Sequence, residues 1–543
     1  MSRTAGGLII SRFGPRPLTA ALLPLAAALL LSLAACAHGG AGGGSAPQDD
    51  GAPKKAARGE LVPTMLIKGA RLFDGTGAPG RQADVRIEGD RIIAVGALER
   101  QSGDRVIDGT GRALAPGFID THSHADGDIF TRRDALGAVS QGITTVVVGQ
   151  DGGSYHPLAD FFAHLKREPA AINVASYAGH GTLREAVLKD DFKRAATAAE
   201  IEAMSAMLRT DLEAGALGLA TGLEYDPGIY AARDEVLALA RVASAAGGRY
   251  ISHIRSEDRD FWDAIDEIIA IGREARLPVQ VSHLKLAMRS WWGRGPELIA
   301  RLDAARASGV AITADIYPYL YWQSTLTVLF PDRNFEDRDE AAFVLREIAA
   351  PEGLLLGRFE PEPSYAGLTV AEIAKRRGAD PVTTLIDLIR ESEELRERTG
   401  ESTQSVIGTS MDEKDLEVLI AWPFANVCTD GELDGRHPRG FGSYPRVLGR
   451  YVRERGVLPL EEAIRKMTSL AADNIGFKDR GRILPGQMAD LVLFNPATII
   501  DNATPADPQA LPTGVDRVWV NGESVFDAGK PTGRLPGRVL TRK

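Results

Sequence analysis

Between residues 116 and 429, eight short and almost continuously apolar runs alternate with amphipathic or charged stretches, and few architectures accommodate that pattern. The runs are Pro116–Asp120, Ile143–Gly149, Ile172–Tyr177, Ala216–Ala220, Tyr250–His253, Val279–His283, Ala311–Asp315 and Asn426–Thr429. Strands apolar on both faces belong in a parallel sheet that helices cover on each side. Stretches such as Ala231–Ala246 and Phe261–Glu274 supply those helices. Eight strands predict an α/β fold closed into a (β/α)8 barrel. A doubly wound open sheet is the alternative, but no Gly-x-Gly-x-x-Gly fingerprint follows an early strand.

The interval between Asp315 and Asn426 is too long for one crossover. An insertion is therefore expected around residues 320–410, with a charged helix over Pro381–Arg398 as a candidate lid on the barrel mouth. The barrel itself is expected over 115–478. Its flanks, 64–114 and 479–543, show short alternating strands with turn signals such as Asp74-Gly75, Gly89-Asp90 and Asn521-Gly522. Two all-β ends around a different middle predict one small discontinuous β-sandwich.

The first sixty residues have another character. Arg3, Arg12 and Arg16 lead into the apolar run Leu18–Leu33, which is too short to favour a spanning helix and has the layout of an export signal. It ends in Leu33-Ala34-Ala35-Cys36, which resembles the lipobox of bacterial lipoproteins. That likeness implies a signal over 1–35, lipidation of Cys36, a Gly/Ala-rich tether over 36–63 and an anchored location in the bacterial cell envelope; a plain secretory signal is the alternative. Cys428 is the second of the two cysteines and lies in an apolar run, so no intramolecular disulfide is expected and a buried core thiol is. Acidic residues outnumber Lys and Arg by 73 to 63, for a net charge of -10. That balance argues against a nucleic-acid partner. A small-molecule substrate is expected, with membrane contact only through the anchor.

The polar residues at the strand ends carry the functional signal. His122 and His124 end the first strand, His180 follows the third, and His253 and His283 end the fifth and sixth. Asp151 follows the second strand and Asp430 ends the eighth. In a β/α barrel these positions share one rim, where active sites are built. Residues i and i+2 of an extended segment face the same side, so His122 and His124 can address one ion. Imidazoles with one or two carboxylates suit a borderline divalent ion such as Zn²⁺. Such an ion lowers the pKa of a bound water towards about 7, and a carboxylate in reach can pass its proton to a leaving amine. These parts point to hydrolysis of a C–N bond. His38, His156 and His164 are weaker candidates, placed in the tether, a loop and a helix.

The motifs Gly117-Phe-Ile-Asp-Thr-His-Ser-His124, Gly179-His180-Gly181, Ile251-Ser-His-Ile-Arg255 and Val281-Ser-His-Leu-Lys285 resemble those of the amidohydrolase superfamily. With Ala314-Asp-Ile-Tyr-Pro-Tyr319, Thr429-Asp-Gly431, His437-Pro-Arg439 and Leu484-Pro-Gly-Gln-Met-Ala-Asp490, the likeness is to the N-acyl-D-amino-acid deacylases. The resemblance implies a barrel with a terminal β-sandwich and a zinc-dependent deacylase. It places the tighter zinc on His253 and His283, and a second, weaker position on His122 and His124. Asp430 becomes the general base and acid, and Lys285, Tyr317 and Arg439 grip the substrate carboxylate. His180 either polarises the scissile carbonyl or stands behind the ligands.

One segment departs from the pattern. Deacylases commonly carry Gly-Asn-Cys-Gly after the second strand, where this chain has Gly149-Gln150-Asp151-Gly152. A carboxylate there can bridge two ions, but it is a harder ligand than a thiolate. Glu224, after the fourth strand, is expected to be a solvated loop carboxylate, with a place behind the metal ligands as the alternative. The segment 320–330 lacks Arg and Lys, so neutral or apolar D-side chains are expected. Dipeptidase action before a D-residue, or hydrolysis of a cyclic amide, are the alternative reactions. A non-catalytic envelope binding protein is the remaining alternative, and the retained metal-capable residues argue against it.

Overall fold

A computed structural model describes residues 64–542. Cys36, and the signal and tether read around it, lie outside the described residues. The barrel strands are β1 (Phe118–Asp120), β2 (Ile143–Val148), β3 (Asn173–Ser176), β4 (Gly218–Gly222), β5 (Arg249–His253), β6 (Val279–Val281), β7 (Ile312–Ile316) and β8 (Ala425–Val427). All six residues of β2 are buried, as the unbroken Ile-Thr-Thr-Val-Val-Val run requires of a strand covered on both faces. Neighbouring strands pair in parallel from β1 to β3 and from β4 to β8, and Ala178–Gly179 carries the third strand onto β4. The ring closes at its rim. The Asp430 N–H donates to the His122 carbonyl at 2.9 Å, and the His124 N–H to the Gly431 carbonyl at 2.9 Å. Asp120, buried in β1, accepts the Thr429 N–H at 3.0 Å and so ties β1 to β8 from below.

Local signals fix the outer helices. Ala198–Ala214 starts with a capping box, in which Thr197 and Glu200 satisfy each other's backbone donors, and ends at Gly215 with φ of 112°. Phe261–Ala275 buries Phe261, Ile265, Ile268, Ile269 and Gly272, an i, i+3/i+4 stripe turned to the barrel.

The interval after β7 holds a separate antiparallel sheet of Tyr321–Ser324, Gln404–Thr409 and Leu354–Phe359, paired in that order. It has its own apolar core, including Trp322, Leu329, Leu356, Leu385 and Leu388. The helix expected over Pro381–Arg398 spans Pro381–Thr399, with the Asp380 carboxylate accepting the Thr383 N–H at its start.

The β-rich ends meet as expected. Leu491–Phe494 runs antiparallel to Ala113–Pro116 in a sheet of seven strands, and a sheet of four strands from the N-terminal side faces it. Ile67, Leu72, Ile87, Leu114, Leu491 and Trp519 fill the space between. The expected strand Pro116–Asp120 is divided. Pro116 belongs to the sandwich and Phe118 to the barrel, with the change at Gly117. A Cβ on Gly117 would stand 2.3 Å from the Thr144 side chain, so this crossing admits only glycine.

Asp490 joins the two parts. Its carbonyl accepts the Gly117 N–H at 2.7 Å. Its buried carboxylate takes the Arg480 guanidinium, the Asn521 N–H at 2.7 Å and the Asn173 amide of β3 at 3.3 Å. Removing one partner of a buried pair leaves an uncompensated charge. Asp490→Ala is expected to cost about 3–5 kcal/mol of stability, read as a lowered unfolding midpoint. An unchanged midpoint would show that this pair does not join sandwich to barrel.

Candidate metal centre and substrate cleft

The rim brings six of the expected residues to one point. His122, His124, Asp151 and Asp430 form one group whose ligand atoms lie within 4.8 Å of each other, and Asp151, His253 and His283 form a second. Asp151 belongs to both. Its Oδ1 is 3.4 Å from His122 Nε2 and 3.6 Å from His283 Nε2, and its Oδ2 is 3.4 Å from His124 Nε2. Asp430 Oδ1 lies 3.1 Å from His124 Nε2 and 3.5 Å from His122 Nε2. His253 Nδ1 and His283 Nε2 are 2.9 Å apart, both aimed into the centre. Asp151, His283 and Asp430 have φ of 52°, 35° and 51°, left-handed conformations uncommon outside glycine. Each follows the end of its strand and turns its side chain inward there, a placement of strain typical of functional sites.

The donor set fits divalent cations. Both ring nitrogens of His122 and Oδ1 of Asp151 are buried without a hydrogen-bond partner, although such atoms ordinarily find one. Burial opposes a charge on His122, but Asp151, Asp315 and Asp430 outweigh it and hold its pKa well above the usual value. His124 is likewise pushed up to about 10 by Asp151 and Asp430 against the effect of burial. Burial opposes ionisation of Asp430 too, yet Arg439 and His122 keep the carboxyl well below its ordinary range. A cluster that favours positive charge on its rings this strongly favours a cation between them.

The other wall carries cationic and hydroxyl side chains. Arg439 donates from Nη1 to Asp430 Oδ2 at 2.5 Å, while its buried Nε has no partner. The Tyr317 hydroxyl is also buried and unpartnered. Lys285 Nζ stands 2.5 Å from Glu257 Oε1 and 2.8 Å from His283 Nδ1. These side chains line one cleft. The insertion supplies the cleft's further wall through Trp322, Gln323, Ser324, Val328, Leu329 and Ile348.

Two expectations change. His180 lies outside the cluster and the cleft. The chain turns into a helix at this residue, and Nε2 sits 2.8 Å from Glu235 Oε1, which also takes Arg184. Glu224 is not solvated: it is buried, lines the cleft and lies 2.8 Å from His253 Nε2. Burial raises its pKa, with His253 pulling the other way. His164 lies on a helix as expected, its partly exposed ring stacked on Phe130 with centroids 3.8 Å apart. Sequence reasoning missed Glu257, a loop residue with no periodic signal, and the part played by Asp315. The Asp315 Oδ1 accepts the His283 N–H at 2.6 Å and lies 3.5 Å from His122 Nδ1. Cys428 is buried as expected, with Sγ 3.3 Å from that same carboxylate.

Comparison with known proteins gives the family of the chain. The model of the amidohydrolase family matches residues 105–350 and 432–526. The N-acyl-D-glutamate deacylase of Alcaligenes xylosoxydans xylosoxydans is 38% identical over 502 residues, which cover 88% of this chain and 96% of that protein. A structure of D-aminoacylase, solved in work on its binuclear metal centre, superimposes with a TM-score of 0.78 at 36% identity, covering 88% of this chain and 99% of its own. The N-acyl-D-glutamate deacylase of Bordetella bronchiseptica, in complex with zinc and a phosphonate mimic of the tetrahedral intermediate, gives a TM-score of 0.79 at 36% identity, covering 89% and 100%. With its barrel, its terminal sandwich and its rim of histidines and aspartates, the chain belongs to the amidohydrolase family.

Proposed function

We propose that this chain is a zinc-dependent hydrolase that cleaves the amide bond of N-acyl-D-amino acids, releasing a carboxylate and a free D-amino acid. The observation that carries the proposal is one cleft lined both by His253, His283 and Asp430 of the divalent-cation donor set and by the anion-facing trio Lys285, Tyr317 and Arg439. His122, His124, Asp151, His253 and His283 would hold the metal, which supplies an acidified water and polarises the scissile carbonyl when bound. Asp430 is kept ionised by Arg439 and its histidine neighbours, so it can accept a proton from the attacking water and return it to the departing nitrogen. Arg439 has Nε free and its plane 5.0 Å from the Tyr317 ring, and it suits a carboxylate on the D-residue. A cyclic amide need not present that carboxylate, so the trio favours the acyl-amino-acid reading.

Asp430→Asn is expected to lower kcat on N-acetyl-D-leucine by about 10²–10⁴. Near-native turnover at native metal content would remove Asp430 from proton transfer.

The cleft wall from the insertion is largely apolar, and residues 320–330 carry no Arg or Lys to pair with an acidic side chain. N-acetyl-D-leucine is therefore expected to exceed N-acetyl-D-glutamate in kcat/KM by about tenfold or more. The reverse order would overturn this preference.

In the same proposal the enzyme is anchored in the bacterial envelope through Cys36, on the support of the basic lead, the apolar run and Leu33-Ala34-Ala35-Cys36. Cys36→Ala should shift the protein from the membrane to the soluble fraction on cell fractionation. Unchanged partition would refute the anchor.

A further inference from the structure

We propose that Glu224 is a positioning residue for the metal site, acting through His253 to present that ring's Nδ1 to the ion bound with Asp151 and His283. The inference rests on the metal-dependent reading above and adds a residue that neither the strand-end pattern nor the family likeness assigns a role.

The register explains how the contact arises. Gly222 of β4 lies beside His253 of β5, so two residues beyond the strand the Glu224 side chain reaches its neighbour's terminal histidine. Glu224 Oε2 is 2.8 Å from His253 Nε2, on the ring edge away from the cluster. The opposite nitrogen, Nδ1, faces His283 Nε2 at 2.9 Å. A neutral imidazole carries one N–H, and an anionic acceptor at Nε2 places it there, leaving the Nδ1 lone pair for a metal. Carboxylates that hold a ligand histidine in this way fix both tautomer and ring orientation.

Glu224 is itself held at both its side chain and its main chain. Its Oε1 accepts the Glu257 N–H at 3.1 Å. Its carbonyl accepts Arg333 Nη2 at 2.9 Å, and Arg333 Nε reaches Asp226 Oδ1 at 2.9 Å. Arg333 also donates to the carbonyls of Thr327 and Phe330, next to the Val328 and Leu329 that wall the cleft. The Tyr225 ring packs against that of His253, with centroids 4.3 Å apart. A carboxylate fixed this firmly serves as a stop against which the imidazole is set. Glu257 does not repeat the arrangement at His283, because Lys285 Nζ competes for the same oxygen.

The test measures zinc affinity by competition with a chromophoric chelator, alongside melting of each metal-free protein. Glu224→Ala is expected to weaken zinc binding by about 10–100-fold, and Glu224→Gln, which keeps an acceptor for His253, to restore part of it. In a His253→Asn background, Glu224→Ala should add no further loss. Unchanged affinity in Glu224→Ala, or an equal further loss without His253, would overturn the proposal. If metal-free Glu224→Ala melts below wild type, Glu224→Gln carries the same comparison. A His253→Asn protein that binds zinc as tightly as wild type would overturn the metal reading itself, and this proposal with it.

Discussion

Two main-chain hydrogen bonds between the end of β1 and the end of β8 decide whether this chain has a functional site at all. The Asp430 N–H to His122 and the His124 N–H to Gly431 close the ring, and they do so with the backbone of the site residues themselves. Residues 306 positions apart thereby become neighbours, with His124 Nε2 and Asp430 Oδ1 at 3.1 Å. Closure and site assembly are one event. The Asp120–Thr429 bond beneath them explains why a carboxylate stands in an apolar strand: burial pushes its pKa up to about 7, against the pull of Thr429. A barrel without edges needs its last pair as much as any other, and here that pair carries three metal-capable side chains, His122, His124 and Asp430, into the mouth.

The centre so assembled is dense in charge and poor in water contact. His122, His253 and His283 are buried, and each has a carboxylate near its other ring nitrogen: Asp315, Glu224 and Glu257 respectively. Buried ionisable groups are costly unless paired. Left-handed backbone at Asp151, His283 and Asp430 adds strain. The neighbouring structure has to compensate, through the continuous apolar core around β2, β6 and β7 and the helices outside them. The rim residues are thus fixed by a scaffold whose own stability owes little to them.

This division explains what the sequence made legible. All eight barrel strands stand within two residues of their expected positions at most boundaries, because a strand covered on both faces must be apolar throughout. The strand-end histidines and aspartates were legible because packing gives no reason to close such a run with a polar side chain. His180 misled for the same reason: it follows the third strand, but the chain enters a helix there and the ring turns to Glu235. Glu257 was hidden, and Glu224 reads first as solvated, because a loop carboxylate looks the same in sequence whether it is solvated or buried. Their burial depends on the loop's path, which is set by Arg333 more than a hundred residues away in the case of Glu224. The break at Gly117 was equally invisible, since Pro116 and Phe118 continue one apolar run while serving two sheets.

Asp151 brings these constraints to a single side chain. A thiolate has one donor atom, so two ions bridged by it must approach the same sulfur. The Asp151 carboxylate has two donor atoms, and here they are divided, with Oδ2 towards His124 and Oδ1 between His122 and His283. Two ions held in this way need not share one ligand atom, and a harder oxygen weakens the preference for soft metals that a thiolate imposes. The two positions also become coupled through the orientation of one carboxylate, because rotating Asp151 to serve one group moves its oxygens relative to the other. The φ of 52° at Asp151 and the packing of Gly152 against the Gly222 and Gly181 amides leave that loop little room to turn. Were Asp151 to serve two ions, the backbone of this loop, with Gly152 packed in it, would set the balance between them.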